Sequence, residues 1–213
     1  MGTWITFNEP NSDTLTVGNW LSGYNVVIAH AKVVHWYREQ IKGTAKWSIK
    51  LAFNNGFPLP LDPSSASDVA ATDRRLDFNI GYLAYPLYLG LQVPESVIST
   101  LGNKAPNFTA AELAYVHGTC DFFGVDMYAA SYITAPFGGI DACAKNSSHP
   151  DFPYCATVLT SRNGWDIGMK SNTGGYVGFS LPSTRSLKSS LCPLTCLNSF
   201  RWPINTCAPF CAT

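Results

Sequence analysis

The residues best placed to do chemistry in this chain sit at two points. Glu9 stands between Asn8 and Pro10 at the end of the stretch WITFNEP, and Asp126 and Tyr128 share the stretch GVDMY. A carboxyl group can give or take a proton, and a phenol can donate a hydrogen bond to it. On residue chemistry alone the plain readings come first: Glu9 as a solvated loop residue at a strand end, Asn8 as a strand terminator bonding its own backbone, Tyr128 as a core aromatic. His30 falls on an apolar helical face and reads as a packing histidine. His35, His117 and His149 have neither metal nor triad spacing, and Asp62, Asp68, Asp73 and Asp77 read as loop or helix-surface residues. Cys192-x3-Cys196 and Cys207-x3-Cys211 match a four-thiolate zinc site by count, but structural zinc sites more often use two-residue spacings, so no metal is expected. Cys143 and Cys155 flank a loop and either pair under oxidising conditions or stay as thiols. Asn107 and Asn146 head two glycosylation sequons, NFT and NSS, a pattern common by chance.

These residues need elements to position them. GTWITFN is rich in β-branched and aromatic residues and is closed by a proline that cannot continue a central ladder, which puts Glu9 at the C-terminal end of a strand. Val26, Val27, His30, Val33, Val34, Tyr37 and Ile41 follow at three-and-four spacing, predicting an amphipathic helix stopped by Gly43. KWSIKLAF alternates Trp47, Ile49, Leu51 and Phe53 as a strand does. A helix is expected from Asp68, with Leu76, Ile80, Leu83 and Leu87 inward and Pro86 kinking or ending it. Thr109 and Glu112 form a capping box for a short helix that Gly118 ends, and CDFFGVDMYAASYITA reads as one more strand. Strands alternating with helices predict an α/β fold with a parallel sheet, whose chemistry gathers at the C-terminal strand ends, where Glu9 and Asp126 to Tyr128 lie. Element order does not separate a closed barrel from an open sheet.

Fourteen basic residues balance fourteen acidic ones, which argues against a nucleic-acid partner. No apolar run reaches the roughly 18–20 residues a membrane span needs, and the first residues lack the basic and apolar regions of a signal peptide. A soluble protein is expected, cytoplasmic or secreted. Seven cysteines cannot all pair internally, and from Ile167 to Thr213 there is no Asp or Glu. The composition shifts there to a divergent Cys/Ser/Pro-rich tail that does not read as an independent domain.

WITFNEP resembles the acid/base signature of the family 1 glycoside hydrolases, the β-glucosidase family, whose usual form is Trp-x-Thr-Phe-Asn-Glu-Pro at the end of the fourth barrel strand. NVVIAHAKVVHWYR, DVAATDRRLDFNIGYLAYPLYLG, GTCDFFGVDMY and SRNGWDIG resemble the segments that follow, in order, over roughly residues 3 to 175 and most like fungal members. The resemblance implies a partial (β/α)8 TIM barrel over residues 1–175, covering roughly strands 4 to 6 with their helices, plus the irregular tail of 176–213. It implies retaining hydrolysis of a β-glucoside or short β-linked oligosaccharide, without cofactor or metal. Glu9 would be the acid/base, Asn8 the contact to the sugar 2-hydroxyl, and Tyr128 the residue that orients the nucleophile; Asp126 stands where the family usually has Asn. The family's first three strands would precede Met1, and its nucleophile, in a Thr-Glu-Asn-Gly motif, would follow residue 175 and does not occur here. The tail is read as a frame-shifted or intron-derived replacement for that strand. A full barrel typically takes about 250 residues, so the chain is expected to be an inactive fragment. The alternative expectation is a sugar-binding or assembly fragment that associates through open sheet edges.

Overall fold

The computed structural model describes residues 2–12, 18–53, 55–170 and 176–177. The four tail cysteines, and with them the zinc and frame-shift readings, lie outside the described residues.

Six strands carry the architecture: β1 (Thr3–Asn8), β2 (Lys46–Ala52), β3 (Phe57–Pro60), β4 (Gly124–Asp126), β5 (Ala130–Thr134) and β6 (Thr157–Leu159). The helices are α1 (Trp20–Trp36), α2 (Ala66–Leu76), α3 (Tyr82–Ala84), α4 (Glu95–Leu101), α5 (Ala110–Val116) and α6 (Ile140–Ala144). β1, β2 and β4 form a parallel sheet in that order, Asn8 opposite Lys50 and Ala52 opposite Asp126, so their C-terminal ends share one rim. β3 and β5 pair in parallel and β5 and β6 antiparallel in a second sheet.

β2 is the middle strand, and both its faces are covered. Ile49 and Leu51 are buried, and so is Ser48 on the opposite face, its hydroxyl donating to the Phe122 carbonyl at 2.6 Å and lying 3.0 Å from the Tyr88 hydroxyl. β1 is an edge among the described residues, and Trp4 and Ile5 are 55% and 39% exposed.

α1 packs on this sheet through a stripe of Trp20, Gly23, Val27, His30, Ala31 and Val34, narrower than its apolar sequence implied, since Val33 and Ile41 are exposed. Gly23 permits the close approach: a Cβ there would lie 2.7 Å from the Tyr82 ring. His30 is fully buried, with Nδ1 2.7 Å from the Thr6 hydroxyl and Nε2 3.3 Å from the Cys120 sulfur. Burial lowers its pKa to about 4, so it packs as a neutral ring. The capping box from Thr109 to Glu112 opens α5.

Two expectations are corrected and one is narrowed. The helical run after α1 stops at Lys42, which adopts a left-handed φ of 53°, one residue before Gly43. The glycine instead makes room for Tyr37, whose hydroxyl would stand 1.9 Å from a Cβ at position 43. Of the two outcomes expected at Pro86, a kink or an end, the second does not occur. The proline falls in a widened five-residue turn, Tyr85–Leu89, which absorbs the missing N–H, and the helix ends at Gly90 with φ 64°. The single strand expected from Cys120 to Ala135 is two, β4 and β5, in different sheets. Exposed Met127 and Tyr128 leave the ladder between them, and the Phe57 amide takes the Ala129 carbonyl at 2.8 Å to start the second pairing.

Asp68 and Asp77 are also more enclosed than their helix-surface reading. Asp68 is buried and accepts from the Thr134 hydroxyl at 2.8 Å and the amides of Ala135 at 3.1 Å and Asp62 at 3.2 Å, joining α2 to the end of β5. Cys143 and Cys155 form a disulfide with a Cα separation of 5.6 Å, tying α6 to the segment before β6.

Candidate active site

The chain leaves β1 through a forced turn. Glu9 has φ 50°, a left-handed conformation that a residue with a Cβ adopts at a cost on the order of 1 kcal/mol. Neighbouring bonds hold it there: its amide donates to the Lys50 carbonyl at 2.6 Å, and its carbonyl accepts from the Ser12 amide at 2.9 Å. Asn11, fully buried, donates to the carbonyls of Ala52 at 2.6 Å and Asn79 at 3.1 Å and accepts from the Ala52 amide at 3.0 Å. The turn after β1 is thereby fastened to the end of β2, and the Glu9 side chain is aimed along the shared rim.

Tyr128 meets it from the break after β4. Its hydroxyl lies 2.7 Å from Glu9 Oε1 and 3.1 Å from Asp126 Oδ2. A phenol has one proton, so two carboxyl groups compete for a single donor. Lys50 Nζ, reaching over from β2, stands 2.8 Å from the same Asp126 oxygen. Burial pushes the Asp126 carboxyl up, but hydrogen bonds with Lys50, Glu9 and Tyr128 and the Lys50 charge outweigh it and leave the group below the ordinary carboxylate range. The hydrogen bond to Glu9, then burial and the nearby carboxylates, raise the Tyr128 pKa, so the phenol keeps its proton at neutral pH. Two carboxyls, a cation and a protonated phenol thus meet at the C-terminal ends of three adjacent parallel strands.

The structure brings Glu9, Tyr128 and Asp126 together. Asn8 is placed at the exposed last position of β1, opposite Lys50, at the point where the register shifts. Sequence reasoning missed Lys50 and Asn11. Lys50 had a usable signal: an Asp where the resembled family has Asn calls for a cation on a neighbouring strand, and Lys50 is the charged residue inside the apolar run of β2. Asn11 had none, because its role depends on three main-chain partners distant in sequence.

A cleft of about 680 Å³ opens elsewhere, lined by Asp73, Arg74, Asp77, Ser96 and Asp141 among others, and includes none of the four rim residues. Burial lifts the Asp77 pKa to about 6 against the opposing bond from Ser96, whose hydroxyl donates at 2.6 Å. Among the described residues no group of three His, Cys, Asp or Glu is arranged to hold a metal ion, and no helix is long and apolar enough to cross a membrane.

Comparison with known proteins gives the rim a context. A family model described as glycosyl hydrolase family 1 matches residues 1–167. Beta-glucosidase 1B of Phanerodontia chrysosporium is 38% identical over 138 residues, covering 65% of this chain and 25% of that protein. Beta-glucosidase 24 of Oryza sativa subsp. japonica is 31% identical over 202 residues, covering 80% of this chain and 38% of its own length. The crystal structure of a family 1 β-glucosidase from the fungus Humicola insolens in complex with glucose superposes with a TM-score of 0.65 at 31% identity, covering 79% of this chain and 39% of that one. The chain therefore spans between a quarter and two fifths of the length of these relatives.

Proposed function

The chain belongs to glycosyl hydrolase family 1, and from that membership we propose that it is the part of a β-glucosidase-type retaining hydrolase that carries the acid/base carboxyl. In this reading residues 1–175 correspond roughly to strands 4 to 6 of a (β/α)8 barrel with their helices, and 176–213 form a tail without a domain of its own. Glu9 gives a proton to the glycosidic oxygen as that bond breaks and takes one from water in the second step. Tyr128 orients the nucleophile, and Asn8 contacts the sugar 2-hydroxyl, where bonding strengthens in the transition state. The substrate class is a β-glucoside or short β-linked oligosaccharide, a choice supported by the relatives named β-glucosidase and by the glucose complex of the Humicola enzyme.

The observation that carries this reading is the Tyr128 hydroxyl at 2.7 Å from Glu9, with Asp126 and Lys50 beside it on the rim. A retaining enzyme needs a second carboxylate about 5–5.5 Å from the acid. Asp126 is a poor nucleophile, because Lys50 and Tyr128 occupy its oxygen. We therefore assign little or no turnover to the chain by itself. The test has two parts. The chain alone, offered an aryl β-glucoside, should stay at the background rate; appreciable hydrolysis that Glu9→Gln abolishes would overturn the assigned inactivity. Residues 1–167 grafted in place of the matching segment of the Phanerodontia enzyme should support hydrolysis that Glu9→Gln lowers by about 10²–10⁴-fold. An active graft indifferent to Glu9→Gln would remove Glu9 from the acid/base role.

A second reading, a non-catalytic assembly fragment, is favoured by one observation: Trp4 and Ile5 on the β1 edge are exposed, as are Leu21, Val33 and Trp36 on α1. An apolar strand edge is a template for pairing with another chain. Size-exclusion chromatography separates the readings, since a compact monomer at micromolar concentration counts against assembly.

A further inference from the structure

The excursion between β5 and β6 holds a modification site that the hydrolase reading does not use. Its first mark is the disulfide between Cys143 and Cys155, which closes a 12-residue separation. Forming it takes two electrons and two protons from the thiols, passed to a disulfide-donating oxidoreductase, and such bonds persist in secretory and extracellular compartments rather than in a reducing cytosol. Inside the closed loop lies the sequon Asn146-Ser147-Ser148. All three residues are exposed, directly after α6. Asn146 stands at the corner of consecutive tight turns: its amide donates to the Cys143 carbonyl at 3.0 Å and its carbonyl accepts from the His149 amide at 2.9 Å. The side-chain Oδ1 accepts from the Ser148 amide at 3.0 Å, which folds the Asn and the Ser of the sequon onto one another and directs the amide nitrogen away from that bond.

We propose that Asn146 carries an N-linked glycan, added in the same oxidising compartment in which the disulfide forms. In the transfer Asn146 Nδ2 attacks C1 of the first sugar of a lipid-linked oligosaccharide diphosphate. The N–C1 bond forms, the C1–O bond to the diphosphate breaks, Nδ2 gives up one proton, and the lipid diphosphate leaves. An exposed amide in a loop already pinned by a disulfide accepts a bulky polar chain without moving the core. The second sequon differs. Asn107 is exposed as well, but Phe108 is buried and the Thr109 hydroxyl is committed to the capping box of α5. The assignment is to Asn146 alone.

The test uses the full chain purified from its own organism, alkylated without reduction, digested, and mapped by mass spectrometry before and after treatment with a peptide N-glycanase, an amidase that hydrolyses the bond between the Asn side-chain carbonyl and its glycosylated nitrogen. The expected result is an Asn146 peptide seen only after glycan release, with conversion to Asp at that position, and Cys143 and Cys155 protected from alkylation. Re-expressed in the same organism, Asn146→Gln and Ser148→Ala should each lose one glycan, while Ser148→Thr keeps it. A bare Asn146 peptide in the untreated native protein overturns the proposal, whether or not Asn107 is occupied.

Discussion

Two sets of carboxyl groups in this molecule are treated in opposite ways. At the rim, Glu9 and Asp126 share one phenolic proton, the Lys50 ammonium pairs with Asp126, and Glu9 is held in a conformation its Cβ disfavours. Around α2, two carboxylates have donors of their own: Asp68 takes a hydroxyl and two amides, and Asp77 takes the Ser96 hydroxyl. The first arrangement leaves bonding capacity for something not in the chain; the second uses it to fasten elements together. Removing the Asp68 acceptor should therefore lower stability, and substitutions at the rim should barely change it.

The largest effect belongs to Asp68. Asp68→Ala strands the half-buried Ala135 amide and Thr134 hydroxyl and should cost about 2 kcal/mol in urea denaturation. A loss no larger than that of Glu9→Gln would break the comparison. Asp77 comes next, through pH. Its folded-state pKa of about 6 exceeds the ordinary value of 3.8, so the folded state binds the proton more tightly. The group's contribution is most favourable at low pH and is lost as pH rises from about 4 to about 6, a change on the order of 3 kcal/mol. The groups acting on it are Asp73, whose charge adds to the rise, and Arg74, which opposes it. Asp77→Asn keeps an acceptor for Ser96 and should flatten the pH dependence of unfolding in that window while raising stability near pH 7.

The contrast also explains what could be read from the sequence. The α/β alternation, the capping box at Thr109 and the place of Glu9 at a strand end were legible because each rests on local pattern or a short motif. The division between β4 and β5 was not, since it depends on which sheet accepts the strand after Tyr128, a choice made by the Phe57 amide about seventy residues upstream. The structural role of Asp68 was hidden for the same reason: its partners at Thr134 and Ala135 come from another element. At the rim, Glu9 was legible and the left-handed turn that aims it was not, because only Gly announces a positive φ in sequence.

The smallest effects sharpen the rim. Glu9→Gly relieves the left-handed strain but frees the unfolded chain, so stability should rise by about 0.5 kcal/mol. Lys50→Met removes a partly exposed ion pair and should lower stability by about 0.5 kcal/mol. The two changes are similar in size and opposite in sign, which a rim built for stability would not show. Lys50→Met has a second readout. With the ammonium gone, burial acts on Asp126 with less opposition, so its carboxyl should titrate at higher pH, followed by its carbon-13 shift in NMR. If the Asp126 titration does not move, Lys50 is an exposed cation with no part in setting the rim's charge, and the rim reduces to Glu9 and Tyr128.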